Sequence, residues 1–156
     1  YIDEEAGHEL WILNDVEACG VDRSQAVARP APFESEVMVS YLYDTVNRKN
    51  PLGIFGMVLV LEGTSAGLAT EVGKIVQKKL GLPAEAMSYL ESHGALDQQH
   101  LKGFEELMDR IEDKDTQDAI IHAARSVYRL YGDVYRAIPA QAEIWRKVVV
   151  SSTSVA

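Results

Sequence analysis

The chain has 156 residues, 47% of them hydrophobic and 25% charged, with a net charge of −9 and a pI near 4.9. That length makes a single domain able to bury a sizeable core, and the acidic balance argues against nucleic acid and anionic membrane surfaces as partners. The single cysteine, Cys19, excludes an internal disulfide and any CxxC zinc pattern, and points to a reducing, cytoplasmic setting.

The chain begins at Tyr1 without Met and inside a helical pattern, as a piece lacking earlier residues would. Residues 3–19 predict a helix stopped by Gly20, with Ile12, Val16 and Cys19 as its apolar stripe. Glu5 and His8 extend that stripe, and Trp11 flanks it. Glu-x-x-His sends two ligand types to one side, the spacing used in carboxylate-bridged diiron bundles. The plainer explanation is an acidic first turn that suits the helix dipole. Residues 20–33, with Arg29-Pro30-Ala31-Pro32, predict a long loop. Residues 34–48 predict a second helix with Val37, Tyr41, Leu42 and Thr45 inward.

Asn50 caps and Pro51 opens a third helix that runs to Leu80 and stops at Gly81. Between Pro51 and Thr70 the only charged residue is Glu62, which shares a face with Phe55, Val58, Leu59, Ala66 and Ala69. A buried carboxylate costs several kcal/mol unless it is neutralised or given a cation. Glu62 therefore reads as a metal ligand, or else as a protonated carboxyl or the partner of an arginine such as Arg125 or Arg129. Gly53, Gly56, Gly63, Gly67 and Gly73 make the helix slim, which permits close backbone approach or leaves room for a ligand. The apolar run from Pro51 to Leu61 is about half the roughly 20 residues a membrane span needs, so no span is expected.

Leu82-Pro83 opens the next helix, which reaches about Ile111. It carries His93, Asp97 and His100, at positions i, i+4 and i+7 of one face. The stripe continues into Phe104, Leu107 and Ile111, so ligand types are aimed where the core residues are aimed. Two imidazoles and a carboxylate in that phase suit iron, manganese or zinc; chance histidines on a polar surface are the competing explanation. His93 and His100 are separated by about 10 Å of helical rise, whereas paired metals lie about 4 Å apart. Either the side chains lean together or the helix distorts at Gly94, and one metal is expected to be held weakly. Asp113-Lys114-Asp115 is a loop and cap before the last helix, about 116–136, with Ile120, Val127, Tyr128, Tyr131 and either Val134 or Tyr135 toward the core. His122, Arg125, Arg129 and Arg136 fall on a solvated face. Pro139 is expected to end the helix, which makes 1–139 the domain and 140–156 a tail or short docked segment.

No strand pattern competes, so the class is all-α. With Glu5-x-x-His8 (Glu4 being the alternative carboxylate), Glu62 in Leu-Val-Leu-Glu-Gly, and His93-x3-Asp97-x2-His100, the sequence resembles the heme-oxygenase-like diiron oxidase family, the iron-containing redox enzymes, over roughly residues 1–136. The resemblance implies a heme-oxygenase-like bundle of five to seven helices, shared with heme oxygenase, thiaminase-II type proteins and pyrroloquinoline-quinone synthase, here with an N-terminal helix missing. It implies a non-heme iron-dependent oxidoreductase with two irons per chain, cycling between Fe(II) and Fe(III). Glu5, His8, Glu62, His93, Asp97 and His100 are the implied ligands, with Glu62 and Asp97 catalytic as carboxylates that change their binding mode. O2 is the implied co-substrate, a fatty acid, amino acid or amine the implied small-molecule substrate, and a homodimer the implied assembly. Two other readings stand beside it. One is a heme-binding protein with one axial histidine. The other is a metal-free member, either a binding scaffold or a hydrolase whose nucleophile is Cys19.

Overall fold

In the computed structural model the described residues are 5–153, and every regular element among them is helical. The side chains of 94–99 and 147–153 lie outside the description. The α-helices are α1 (His8–Ala18), α2 (Arg23–Ala28), α3 (Phe33–Arg48), α4 (Ile54–Leu80), α5 (Ser88–Met108) and α6 (Lys114–Thr153), with 3-10 turns at Pro51–Gly53 and Ala84–Met87. The chain forms two compact units, Tyr1–Pro30 with Val58–Glu112 and Ala31–Met57 with Asp113–Ala156.

In the first unit, α1 begins later than residues 3–19 predict. Gly7 stands at φ 95°, a left-handed conformation that breaks the helix before His8. Its other end follows the expectation. Gly20 at φ 84° receives the turn, with Gly20 N–H donating to Glu17 O at 2.8 Å and Val21 N–H to Val16 O at 3.2 Å, a Schellman motif. The inward face differs from the predicted stripe. Ile12 and Cys19 are exposed, while Asp15 is buried and His8 and Trp11 are half-buried. The expected loop over 20–33 contains α2, because Asp22 accepts from Gln25 N–H at 3.0 Å and caps it.

The remainder of this unit is α4 from Val58, the 3-10 turn and α5. Val58, Val60, Ala69, Ala86 and Met87 are its buried apolar residues. Leu59 and Leu107, expected inward, are exposed. A Cβ on Gly73 would lie 3.3 Å from the Leu90 side chain, so small size there serves close packing, whereas Gly63 and Gly67 face open space. The stretch Pro51–Leu80 contains an 18-residue window apolar enough to cross a bilayer by length and composition, a third of it buried. Small uncharged residues beyond Glu62 prolong the apolar character, so the short run before Glu62 underestimates it.

In the second unit, Asn50 accepts from Leu52 N–H at 3.0 Å and opens the 3-10 turn, as its sequence predicts. Its amide also donates to Thr116 Oγ1 at 3.0 Å. Asp113 caps α6 by accepting from Thr116 N–H at 2.8 Å. Ile120, Ala123 and Val127 are buried, whereas Tyr128 and Tyr135 are exposed despite their place in the predicted stripe. His122, Arg125 and Arg129 are exposed, as expected. The predicted end at Pro139 is not a break: α6 runs through it to Thr153, and the boundary expected at residue 139 falls inside the helix. Proline removes one intrahelical hydrogen bond, and the strong helix formers around it, Ala137, Ala140, Gln141 and Ala142, carry the helix on.

Candidate metal centre

All the described ligand candidates lie in the first unit. α1 carries His8, with Glu5 just before the Gly7 turn. α4 carries Glu62, and α5 carries His93 and His100. Glu62 is 5% exposed and His93 7%, so neither sits on a solvated surface.

The ligand atoms form two groups, each with its members within 4.8 Å of one another: Glu5, His8 and His93, and Glu5, Glu62 and His100. Glu5 belongs to both. Its Oε2 lies 3.0 Å from His8 Nδ1, and its Oε1 lies 3.8 Å from His100 Nδ1. His100 Nδ1 is 3.7 Å from Glu62 Oε1. The separation of His93 and His100 along α5 is thus met without unwinding. The backbone of α5 is helical through Gly94, and each histidine joins its own group, with Glu5 reaching between them.

The first group has a defined protonation logic. His93 Nδ1 lies 2.9 Å from the Tyr89 carbonyl oxygen, which can only accept, so Nδ1 carries the proton and Nε2 is left as a bare acceptor. That Nε2 sits 3.1 Å from His8 Nδ1, which also faces Glu5 Oε2. A single proton on His8 Nδ1 can serve only one of these two acceptors. A cation among the three would serve them all. Two nitrogens bound at right angles about 2.1 Å from one ion sit about 3 Å apart, so the observed spacing fits a shared metal. Imidazole nitrogens with carboxylate oxygens suit iron, zinc or manganese.

Aromatic rings hold the imidazoles in place. Trp11 stacks on His8 with centroids 4.3 Å apart, and Tyr89 stacks on His93 at 3.9 Å. Trp11 also meets His93 edge-on at 5.8 Å.

Of the predicted ligands, Glu5, His8, Glu62, His93 and His100 are brought together. Asp97 lies on α5 between the two histidines, but its side chain is outside the described residues, as is Glu4. Sequence reasoning missed Asp15 and Tyr89. Asp15 on α1 accepts from Ser88 N–H at 3.2 Å, from Tyr89 N–H at 2.9 Å and from the Ser88 hydroxyl. A signal was present: α5 has no side-chain cap from its own N-cap residue, Met87, and bare helix starts require a partner.

The family of iron-containing redox enzymes matches residues 1–132. A crystal structure of a domain of unknown function with a heme oxygenase-like fold, from Shewanella denitrificans OS217, superposes with a TM-score of 0.83 at 23% identity. It covers 92% of this chain, which spans 62% of that one. That likeness establishes the heme-oxygenase-like fold. No match is found among functionally curated proteins.

Proposed function

The chain belongs to the iron-containing redox enzyme family, and from that premise we propose that it is a non-heme diiron oxidase or oxygenase that uses O2 to oxidise a small substrate such as a fatty acid, amino acid or amine. The observation that carries this reading is the double membership of Glu5. One carboxylate oxygen faces the His8 and His93 group and the other faces the Glu62 and His100 group, the disposition of a carboxylate shared by two ions. A single-ion site would have no use for the second set of donors, and an axial heme ligand would not need its free nitrogen aimed at a second histidine.

Glu5, His8 and His93 would hold one ion, and Glu5, Glu62 and His100 the other, with Asp97 assigned from its spacing. Iron bound there would supply redox chemistry and open positions for O2. The chain's own residues do the rest. The Tyr89 carbonyl keeps the proton on His93 Nδ1 and so keeps Nε2 available. Trp11 and Tyr89 fix the ring planes. Glu62 is deeply buried on α4, where water is scarce, so a cation there would be held more strongly by its carboxylate than by one on the surface. The small substrate would enter beside Gly63 and Gly67, where α4 leaves open space. We read α4 as the core helix of this site and not as a membrane span, because Glu62 turns into a ligand group. The exposed free thiol of Cys19 suits the cytoplasm, and a homodimer completes the reading.

The test is anaerobic loading with Fe(II), iron counting, and the optical spectrum after O2 is admitted. Two irons per chain and O2 consumption are expected. His8→Ala and His100→Ala should each lower the count by about one. Glu62→Ala and Asp97→Ala should abolish O2 consumption with helical content intact. A folded protein that binds no iron would make the histidine and carboxylate groups a structural polar cluster and refute the proposal.

A further inference from the structure

Asp15 is a buried acidic residue on the helix of His8, about two turns beyond it. Among the described residues its carboxylate accepts from donors at the start of α5: the backbone N–H groups of Ser88 and Tyr89 and the Ser88 hydroxyl. The first N–H groups of a helix have no partner within it, and a carboxylate there also meets the positive end of the helix dipole. Asp15 therefore does for α5 what an N-cap residue does, but from another helix.

Tyr89 carries the contact onward. Its N–H is held by Asp15, its carbonyl accepts from His93 Nδ1, and its ring stacks on the His93 imidazole. The Tyr89 N–H and C=O belong to different peptide units, so the link is mechanical and not an electronic relay. On the α1 side, Trp11 stacks on His8, between that histidine and Asp15 in sequence. The outcome is that His93 Nε2 and His8 Nδ1, from residues 85 positions apart, stand 3.1 Å from each other.

We propose that Asp15 is a positioning residue for the metal centre: by gripping the first turn of α5 at Ser88 and Tyr89, it sets the register of α1 against α5 and so holds His8 and His93 at the separation one ion requires. This rests on the metal reading given above. Clasp and ion are then coupled. Each favours the geometry the other needs, and the coupling is reciprocal. Second-layer groups that orient metal ligands commonly change affinity by about 10–100-fold when removed, and that range is expected here for the ion at His8 and His93.

The experiment is anaerobic equilibrium dialysis of the full chain against graded free Fe(II). Wild type is compared with Asp15→Asn, Ser88→Ala, and Gly56→Ala as a variant destabilised away from the site. Amide exchange at Ser88 and Tyr89 is followed with and without iron. Asp15→Asn keeps the size but turns an amide donor toward groups that are themselves donors. The expected result has four parts. The iron of Asp15→Asn that His8→Ala also loses weakens about 10–100-fold, that of Ser88→Ala weakens less, and Gly56→Ala binds as wild type does. In the wild type, iron slows exchange of the Ser88 and Tyr89 amides, a change that a purely structural cap would not show. If Asp15→Asn fails to fold, Ser88→Ala decides: it loses one clasp bond only, and wild-type affinity there together with iron-independent exchange overturns the proposal. Equal affinity in wild type and a folded Asp15→Asn overturns the clasp alone. A folded wild type that binds no iron overturns the metal reading and the clasp with it.

Discussion

Gly56→Ala is expected to be among the costliest single-methyl additions in the protein, while the same change at Gly63 or Gly67 on the same helix should stabilise it. A Cβ built on Gly56 would lie 2.4 Å from Ala124 N, 2.5 Å from Ile120 O and 3.0 Å from Ala123 C. Carbon contacts are most favourable at about 3.5–4.0 Å, so the methyl group arrives about 1 Å too close. All three atoms are backbone of α6, and no rotamer change can move them. Overpacking of this kind costs about 1–3 kcal/mol, and backbone against backbone belongs at the upper end. Alanine returns about 0.5–1 kcal/mol through helix propensity, leaving a net loss of about 2 kcal/mol. At Gly63 and Gly67 nothing lies within 4 Å of the added atom, so the propensity gain stands alone.

Urea unfolding followed by circular dichroism measures the difference. With a slope of about 2 kcal/mol/M for a chain of this size, Gly56→Ala should lower the midpoint by about 1 M and Gly63→Ala should raise it by about 0.3 M. A Gly56→Ala midpoint at or above wild type would refute the close approach of α4 to α6 in the second unit. Equal losses at Gly56 and Gly63 would show instead that the glycines serve flexibility rather than packing.

Asp113 is held below the usual carboxylate range by hydrogen bonds from the Thr116 side chain and backbone N–H. Its cap therefore contributes stability above the unfolded carboxylate value of about 3.9, and that contribution is lost as pH falls through the lower folded value. Asp113→Asn should show a shallower loss of stability between pH 5 and pH 2 than wild type, read from urea midpoints across that range; parallel curves would remove the cap from the account. Cys19→Ser should leave iron loading and O2 consumption unchanged, because the thiol is exposed at the end of α1. Loss of O2 consumption in that variant would overturn the placement of Cys19 outside the oxidase site.

Much of the candidate centre was legible because ligand chemistry has few substitutes. His93 and His100 stand at helical spacing in phase with the core, and Glu62 is the one charge in a long apolar stretch. Those signals survive without knowledge of which helices meet. The helix starts and stops were legible for the same local reason: Asn50, Gly20 and Gly81 act through their own neighbours. What failed depended on distant partners. The stripe chosen for α1 followed hydrophobicity to Ile12 and Cys19, whereas the buried face is set by Asp15 and its hold on α5. The break at Gly7 was hidden because a glycine in an acidic helical run carries no sign of its φ until the fold fixes it. At Pro139 a local rule was overruled by the helix formers on both sides.

Asp15 and Glu62 pose the same question to a reader of the sequence, an acid where the fold is buried, and they have opposite answers. The distinction lies in what the oxygens face. Around Asp15 stand N–H and O–H groups, which complete a carboxylate without any ion; a metal there would have to displace three hydrogen bonds. Glu62 Oε1 has near it His100 Nδ1, itself 3.8 Å from a second carboxylate. A proton can serve one pair in such a group, and a multivalent cation can serve the whole of it. A buried acid already completed by N–H and O–H donors is a structural clasp, whereas one grouped with an imidazole and a second carboxylate is a candidate for a cation. On the metal reading the two carboxylates are complementary parts of one candidate centre: Asp15 grips the first turn of α5 at Ser88 and Tyr89, and Glu62 stands in the group that Glu5 and His100 complete.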